Sequence, residues 1–476
     1  MDLTVATATD PLELEVDLLV LPVAPEGVAP LSGVPAAADA ALGGAIARAV
    51  EGEVVDGSAG SGALFAAPAG VAARAVAVVG AGDGSADEWR RAGRAAARQA
   101  AAAKAARVGV AGVEGDEAVG AFLDGLAQGA YRFQRFLSEP KPAYATAVQV
   151  VGAEAAVVER AGHIAERVAS ARDLVNTPSN HLTPTQLSDH ARALAHRYPT
   201  LTCEVFGREE LEAMGAGAFL AVAQGSAEPP AMIVLRHRPA ETTSDEVLGI
   251  VGKAVTFDTG GISIKPAAGM EEMKMDMGGG AAALEGTALI AALGLPTEVL
   301  CVVPATENMP SGTAIKPGDV VTAMNGTTIE ITNTDAEGRL ILADALTWAA
   351  RNGATRLVDL ATLTGAVLVA LGETYAGLMG SDEEWIQAVK DAGEQTGDLC
   401  WPLPMHRDFE ALIESKVADI LNTASKRLAG TIYAAHFLKR FTDDLPWCHL
   451  DVAGTAMPAA GPTGYGVRLL AELAAR

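Results

Sequence analysis

Apolar and polar positions alternate along the chain in short apolar runs and longer amphipathic stretches. In the first third, runs at Leu18 to Val23, Gly62 to Ala66, Ala75 to Val79, Val108 to Val110 and Ala147 to Val151 have the length of strands. Ala-rich pieces between them, Trp89 to Ala106 and Glu117 to Gln128, have helical spacing. A connecting helix follows. Ile164, Val168, Ala171 and Val175 form its apolar stripe, with Glu166, Arg167 and Arg172 elsewhere, and Pro178 in an Asn/Ser cluster ends it. Beyond it the pattern predicts helices at Pro184 to His196 and Glu209 to Met214, and strands at Thr202 to Phe206, Met232 to Arg236 and Glu246 to Val251. Further helices are expected at Ala281 to Leu293 and Arg339 to Arg351, beside strands at Glu298 to Val303 and Arg356 to Leu360. This alternation predicts an α/β chain whose second part has a mainly parallel central sheet flanked by helices, with active loops at the strand ends. No internal repeat or low-complexity linker is evident, so the break between two domains, 1–165 and 166–476, is placed at the connecting helix.

Composition narrows the class. At 476 residues, 50% hydrophobic and 20% charged, the chain has ample material for a packed core. Its formal charge of −24 argues against a broad basic surface for nucleic acid. The opening stretch from Met1 to Asp10 is unpatterned and lacks a basic and apolar leader. The apolar run from Leu360 to Gly372 is too short to span a bilayer, so no membrane association is expected. Cys203, Cys301, Cys400 and Cys448 are widely spaced and form no CxxC pair, which points to a reducing cytoplasm.

Two stretches carry candidate chemistry. In the first, Asp335, Glu337 and Arg339 alternate just before a predicted helix; in an extended segment all three would face one cavity. Two carboxylates backed by a guanidinium suit a divalent metal or an anion bound to one. In the second, Lys253, Asp258, Lys265 and Asp276 lie in a Gly-rich run that follows a buried strand and is too irregular for a helix or regular strand. Rival signatures are missing: there is no HExxH, no GxSxG and no GxxxxGK[ST]. The Gly80-Ala81-Gly82-Asp83-Gly84 turn has the wrong spacing for a dinucleotide fingerprint. His449 beside Asp451 invites a triad reading, but a structural histidine in a strand is expected there.

Lys253, Asp258, Lys265 and Asp276, followed by the word NTDAEGRL, resemble the signature of the leucyl aminopeptidase (cytosol aminopeptidase) family. The words RDLVNTPSN, ATLTGA, WCHLDVAGTA and PTGYGVR extend the resemblance over residues 170–476. It implies an N-terminal macro-like α/β domain serving assembly, whose closing helix GAYRF resembles, and a C-terminal catalytic peptidase domain. The implied activity is removal of an N-terminal residue, preferably Leu or another apolar residue, from peptides by two divalent ions, Mn2+ or Zn2+. The resemblance gives Lys253, Asp258, Asp276, Asp335 and Glu337 as metal ligands, with Asp258 and Glu337 bridging. It gives Lys265 to the developing oxyanion and Arg339 to a bicarbonate ion acting as general base. Leu363 would offer its carbonyl, and Met273, Thr362, Gly365, Ala453 and Ala456 would line the pocket for the first side chain. A cytoplasmic homohexamer, built as a dimer of trimers, is also implied. Another two-metal amidohydrolase, or an idle scaffold paralogue, stays open as an alternative.

Overall fold

A computed structural model of the chain describes every residue except 7–9, 24–32, 68, 243, 425 and 427. Two compact units emerge, Met1–Ala169 and Ser170–Arg476, and the helix Ala155–Asn176 runs through the division.

In the first unit six strands, β1 (Asp2–Val5), β2 (Leu18–Val23), β3 (Gly62–Ala66), β4 (Ala75–Gly80), β5 (Arg107–Val110) and β6 (Ala147–Val150), form a sheet of order β1-β6-β5-β2-β4-β3. All neighbours are parallel except β3 and β4. All six residues of β2 are buried, as a continuous apolar run in a parallel sheet covered on both faces requires. Besides the short helices Gly33–Ala41 and Ala45–Glu51, one strand went unread in the sequence. Asp2–Val5 adds an edge strand on β6, with only Leu3 and Val5 partly covered, so four residues carry too little alternation to stand out.

The second unit contains β7 (Leu201–Phe206), β8 (Ala231–His237), β9 (Val247–Gly252), β10 (Ala254–Asp258), β11 (Glu298–Asn308), β12 (Val320–Thr322), β13 (Thr328–Glu330), β14 (Arg356–Ala361), β15 (Ala376–Gly380), β16 (Cys400–Pro402), β17 (Ile420–Leu421) and β18 (Trp447–Asp451). Its main sheet runs β16-β15-β18-β14-β9-β11-β8-β7, while β12, β13 and β17 form a small separate sheet. The centre, β18 to β11, is parallel; antiparallel pairs enter at β15–β18, β11–β8 and β8–β7. The helices Gly278–Ala292 and Gly338–Arg351 are buried along most of their length, so no polar face survives on the first of them.

The Gly-rich run after β9 is more regular than its sequence suggests. It contains β10, which pairs in parallel with the far half of β11 from Ala254↔Ala305 to Asp258↔Asn308. This is possible because β11 spans eleven residues, continuing past Val303. A register shift between Val255 and Phe257 explains why periodicity did not reveal the strand.

Candidate active site

Lys253 follows the end of β9, Asp258 ends β10, Asn308 ends β11 and Thr362 follows β14. Charged groups therefore converge outside the carboxyl ends of parallel strands, where open α/β sheets place ligands.

Lys253 is only 2% exposed. Its Nζ lies 2.6 Å from Asp276 Oδ2 and 2.8 Å from Glu337 Oε1, and donates to the Thr362 carbonyl at 2.9 Å. Gly338 makes room for it: a Cβ there would come within 2.6 Å of Lys253 Cε. Lys265 Nζ lies 2.7 Å from Asp258 Oδ2 and also pairs with Asp335 Oδ1. Asp258 Oδ1 accepts from Gly260 N–H at 2.9 Å and from Asn308 Nδ2 at 2.8 Å, and Asp276 Oδ1 accepts from Thr362 Oγ1 at 2.6 Å.

Asp258, Asp335 and Glu337 each bring an oxygen to within 4.8 Å of the others. Burial raises the carboxyl pKa values of Asp258, Asp276 and Asp335, and crowding by neighbouring carboxylates adds to it. Burial works against the charged forms of Lys253 and Lys265, yet the surrounding carboxylates outweigh it and raise both. Glu337 Oε2 is buried with no hydrogen-bond partner. Four crowded carboxylates, one of them with an unsatisfied buried oxygen, beside an amine are a donor set that fits divalent cations.

These groups line a cleft of about 420 Å³ together with Met273, Thr362, Leu363, Gly365 and Ala453. Two residues singled out in the sequence lie elsewhere. Ala456, beside Gly278, is buried and does not line the cleft. Arg339 is 4% exposed; its Nη1 donates to the Asn422 carbonyl at 2.8 Å, and its guanidinium carbon sits 5.4 Å from the centre of the Tyr433 ring. Burial lowers its pKa, and its Nε has no hydrogen-bond partner. The shared-face expectation for Asp335, Glu337 and Arg339 fails because the segment is a turn. Glu337 is already helical at φ −79 and ψ −35, so the two-residue period of a strand does not apply and Arg339 leaves the wall of the cleft.

Three positions went unread. Asn308 clamps Asp258 and also donates to the Thr334 carbonyl at 3.0 Å. Asn422 holds the turn from the other side. Buried Asp451 accepts from Leu363 N–H at 3.2 Å and from Thr364 Oγ1 at 2.5 Å, fixing the loop after β14. His449 does not pair with Asp451. Its Nδ1 lies 2.6 Å from Asp359 Oδ1, and Asp359 Oδ2 accepts from Trp447 Nε1 at 2.7 Å, making it a fully buried structural contact. Polar residues at strand ends were the available signal; nothing in spacing ranked them above other Asn and Asp.

Residues 169–471 match the model of the cytosol aminopeptidase family's catalytic domain, and residues 20–140 match that of its N-terminal domain. A probable cytosol aminopeptidase of Syntrophotalea carbinolica is 43% identical over 461 residues, 91% of this chain and 92% of its own. One from Stutzerimonas stutzeri is 42% identical over 465 residues, covering 93% of each chain. Among solved structures, a tomato leucine aminopeptidase variant superposes with a TM-score of 0.90 at 32% identity, over 99% of this chain and 95% of that one. The bottromycin maturation enzyme BotP, in complex with Mn, superposes with a TM-score of 0.85 at 34% identity, over 97% and 99% of the two chains.

Proposed function

Since this chain belongs to the cytosol aminopeptidase family, a group of metal-dependent exopeptidases acting on peptides, we propose that Lys253, Asp258, Asp276, Asp335 and Glu337 hold two divalent ions, Mn2+ or Zn2+. The observation that carries this reading is the convergence of Asp258, Asp335 and Glu337 oxygens within 4.8 Å, in one cleft with Lys253 and Asp276. When bound, such a pair supplies an activated water and polarises the scissile carbonyl.

The chain's own residues do the rest. Lys253 must give up a proton to offer its amine as a ligand, which ties metal uptake to proton release. Lys265, whose side chain is one-fifth exposed at the cleft, stabilises negative charge developing on the substrate oxygen. Arg339, set behind the cleft wall, would hold a bicarbonate that would supply the general base, and its unpartnered Nε supports an anion contact. Asp451 fixes the Leu363 N–H, leaving the Leu363 carbonyl for the substrate. Met273, Thr362, Gly365, Ala453 and Ala456 shape the pocket for Leu and other apolar residues, with Ala456 acting from behind its lining. A free α-amine would be required as a ligand to the metal; a blocked or internal amide offers none.

A cytoplasmic homohexamer is part of the same reading, supported by the family membership. Among the described residues no helix is long and apolar enough to cross a membrane. Hydrolysis of Leu-Gly and of leucine anilide, with and without added Mn2+, tests the reading. Turnover that needs metal and vanishes on N-acetylation is expected. No turnover in any metal overturns it, and cleavage of the acetylated substrate replaces it with another two-metal amidohydrolase.

A further inference from the structure

The turn Thr332–Glu337 delivers two of the proposed ligands, yet little inside it fixes its shape. Ala336 N–H bonds the Asn333 carbonyl at 3.2 Å, and Asp335 N–H bonds Asn333 Oδ1 at 2.9 Å. From one side Asn308 Nδ2 holds the Thr334 carbonyl at 3.0 Å while also holding Asp258. From the other side a single residue spans the whole turn. Asn422 follows the two-residue strand β17, is 0% exposed, and is tied to the small sheet by its own N–H on the Glu330 carbonyl at 2.9 Å.

Its side chain uses both ends. Oδ1 accepts from Thr332 N–H at 2.8 Å and reaches Asn333 N–H at 3.4 Å; Nδ2 donates to the Asn333 carbonyl at 2.7 Å and reaches the Ala336 carbonyl at 3.5 Å. Its backbone carbonyl receives Arg339 Nη1 at 2.8 Å. One buried amide thus contacts the chain before Asp335 and again between Asp335 and Glu337, and its carbonyl anchors the residue that follows them. We infer that Asn422 is a positioning residue that sets the metal affinity of the site by holding Asp335 and Glu337 in register. The inference rests on the metal reading above. Groups that orient ligands from outside the coordination sphere control affinity because a misaimed carboxylate must be reordered when the ion binds.

The test is calorimetric titration of Mn2+ into the full-length, metal-stripped chain, for wild type, Asn422→Ala and Asn422→Asp. The Asp variant keeps the Oδ1 acceptor but turns oxygen toward the Asn333 carbonyl, so it also serves if the Ala variant fails to fold. Mn2+ affinity is expected to fall about 10- to 100-fold in both, and activity to recover as Mn2+ is raised. Leu346→Val, a change in the core of the helix Gly338–Arg351, should lower Tm and leave affinity alone. Wild-type affinity in the Asn422 variants, whatever their Tm, overturns the inference and leaves the metal reading standing. A wild-type chain that binds no Mn2+ overturns both.

Discussion

Among single residues, charge and space make separable demands. Glu337 has a buried oxygen without a partner, so Glu337→Gln removes a ligand charge and leaves the same crowding; metal content and turnover are expected to fall together, by elemental analysis and rate. Lys265 is not among the proposed ligands, although it pairs with two of them, Asp258 and Asp335. Lys265→Ala should keep its metal and lose about 100- to 1,000-fold in kcat, the usual cost of one oxyanion partner. Metal loss in that variant would reassign Lys265 to the ligand set. Gly338 answers to space. It opens the helix Gly338–Arg351, where the helix-interior preference for Ala does not apply, and a Cβ there would lie 2.6 Å from Lys253 Cε and 2.8 Å from its Nζ. Gly338→Ala should therefore cost about 1–3 kcal/mol of stability by overpacking and lower kcat/KM about 100-fold through a displaced amine. Unchanged Tm and kcat/KM would contradict this account of the glycine.

Among helices and strands, the sequence was legible where one period ruled a segment. The helix Gly338–Arg351 and the strands β2 and β14 follow directly from apolar spacing, because each meets the core along its length. Legibility failed at β10, where a register shift breaks the alternation, and at Arg339, where a turn replaced the assumed extended segment. The charged residues of the cleft were legible because so many charges among Phe, Ile and Met make little sense on a surface. Asn308, Asn422 and Asp451 were not, since their roles come from hydrogen bonds to chain 26 to 90 residues away.

Asp344 shows what such a contact does to an element. Its two oxygens accept from Phe219 N–H at 2.8 Å and Met324 N–H at 2.7 Å, and burial pushes its carboxyl up to about 7 from the ordinary 3.8. Between those values the folded chain holds a proton that the unfolded chain has released. The associated stability is present below pH 3.8 and is lost as pH rises through about 7, at up to about 1.4 kcal/mol per pH unit. An amide side chain at this position would be neutral at every pH, with one acceptor oxygen for two N–H donors. Asp344→Asn should therefore be less stable than wild type at pH 4 to 5. Its deficit should then shrink toward pH 7, measured as the difference in urea midpoints; a deficit constant across that range would show that the proton stays off.

For the whole molecule, the decisive fact is how far apart in sequence the proposed ligands lie. Lys253, Asp258, Asp276, Asp335 and Glu337 come from the ends of β9 and β10, the stretch before the helix Gly278–Ala292, and the turn before Gly338–Arg351. All belong to Ser170–Arg476 and none to Met1–Ala169. An unfolded chain cannot assemble them, so Mn2+ held by these ligands would bind the folded unit alone and stabilise it by mass action, about 2.7 kcal/mol at a hundredfold excess over Kd. For a unit of this size that corresponds to a rise in Tm of about 3–8 °C. Four of the five tryptophans, Trp348, Trp385, Trp401 and Trp447, lie in the same unit, so their fluorescence reports its melting. The tryptophan transition should climb with the logarithm of Mn2+ concentration, return on chelation, and stay put in Glu337→Gln. A transition that ignores Mn2+ in the wild-type chain would mean that these carboxylates hold their lysines and nothing more.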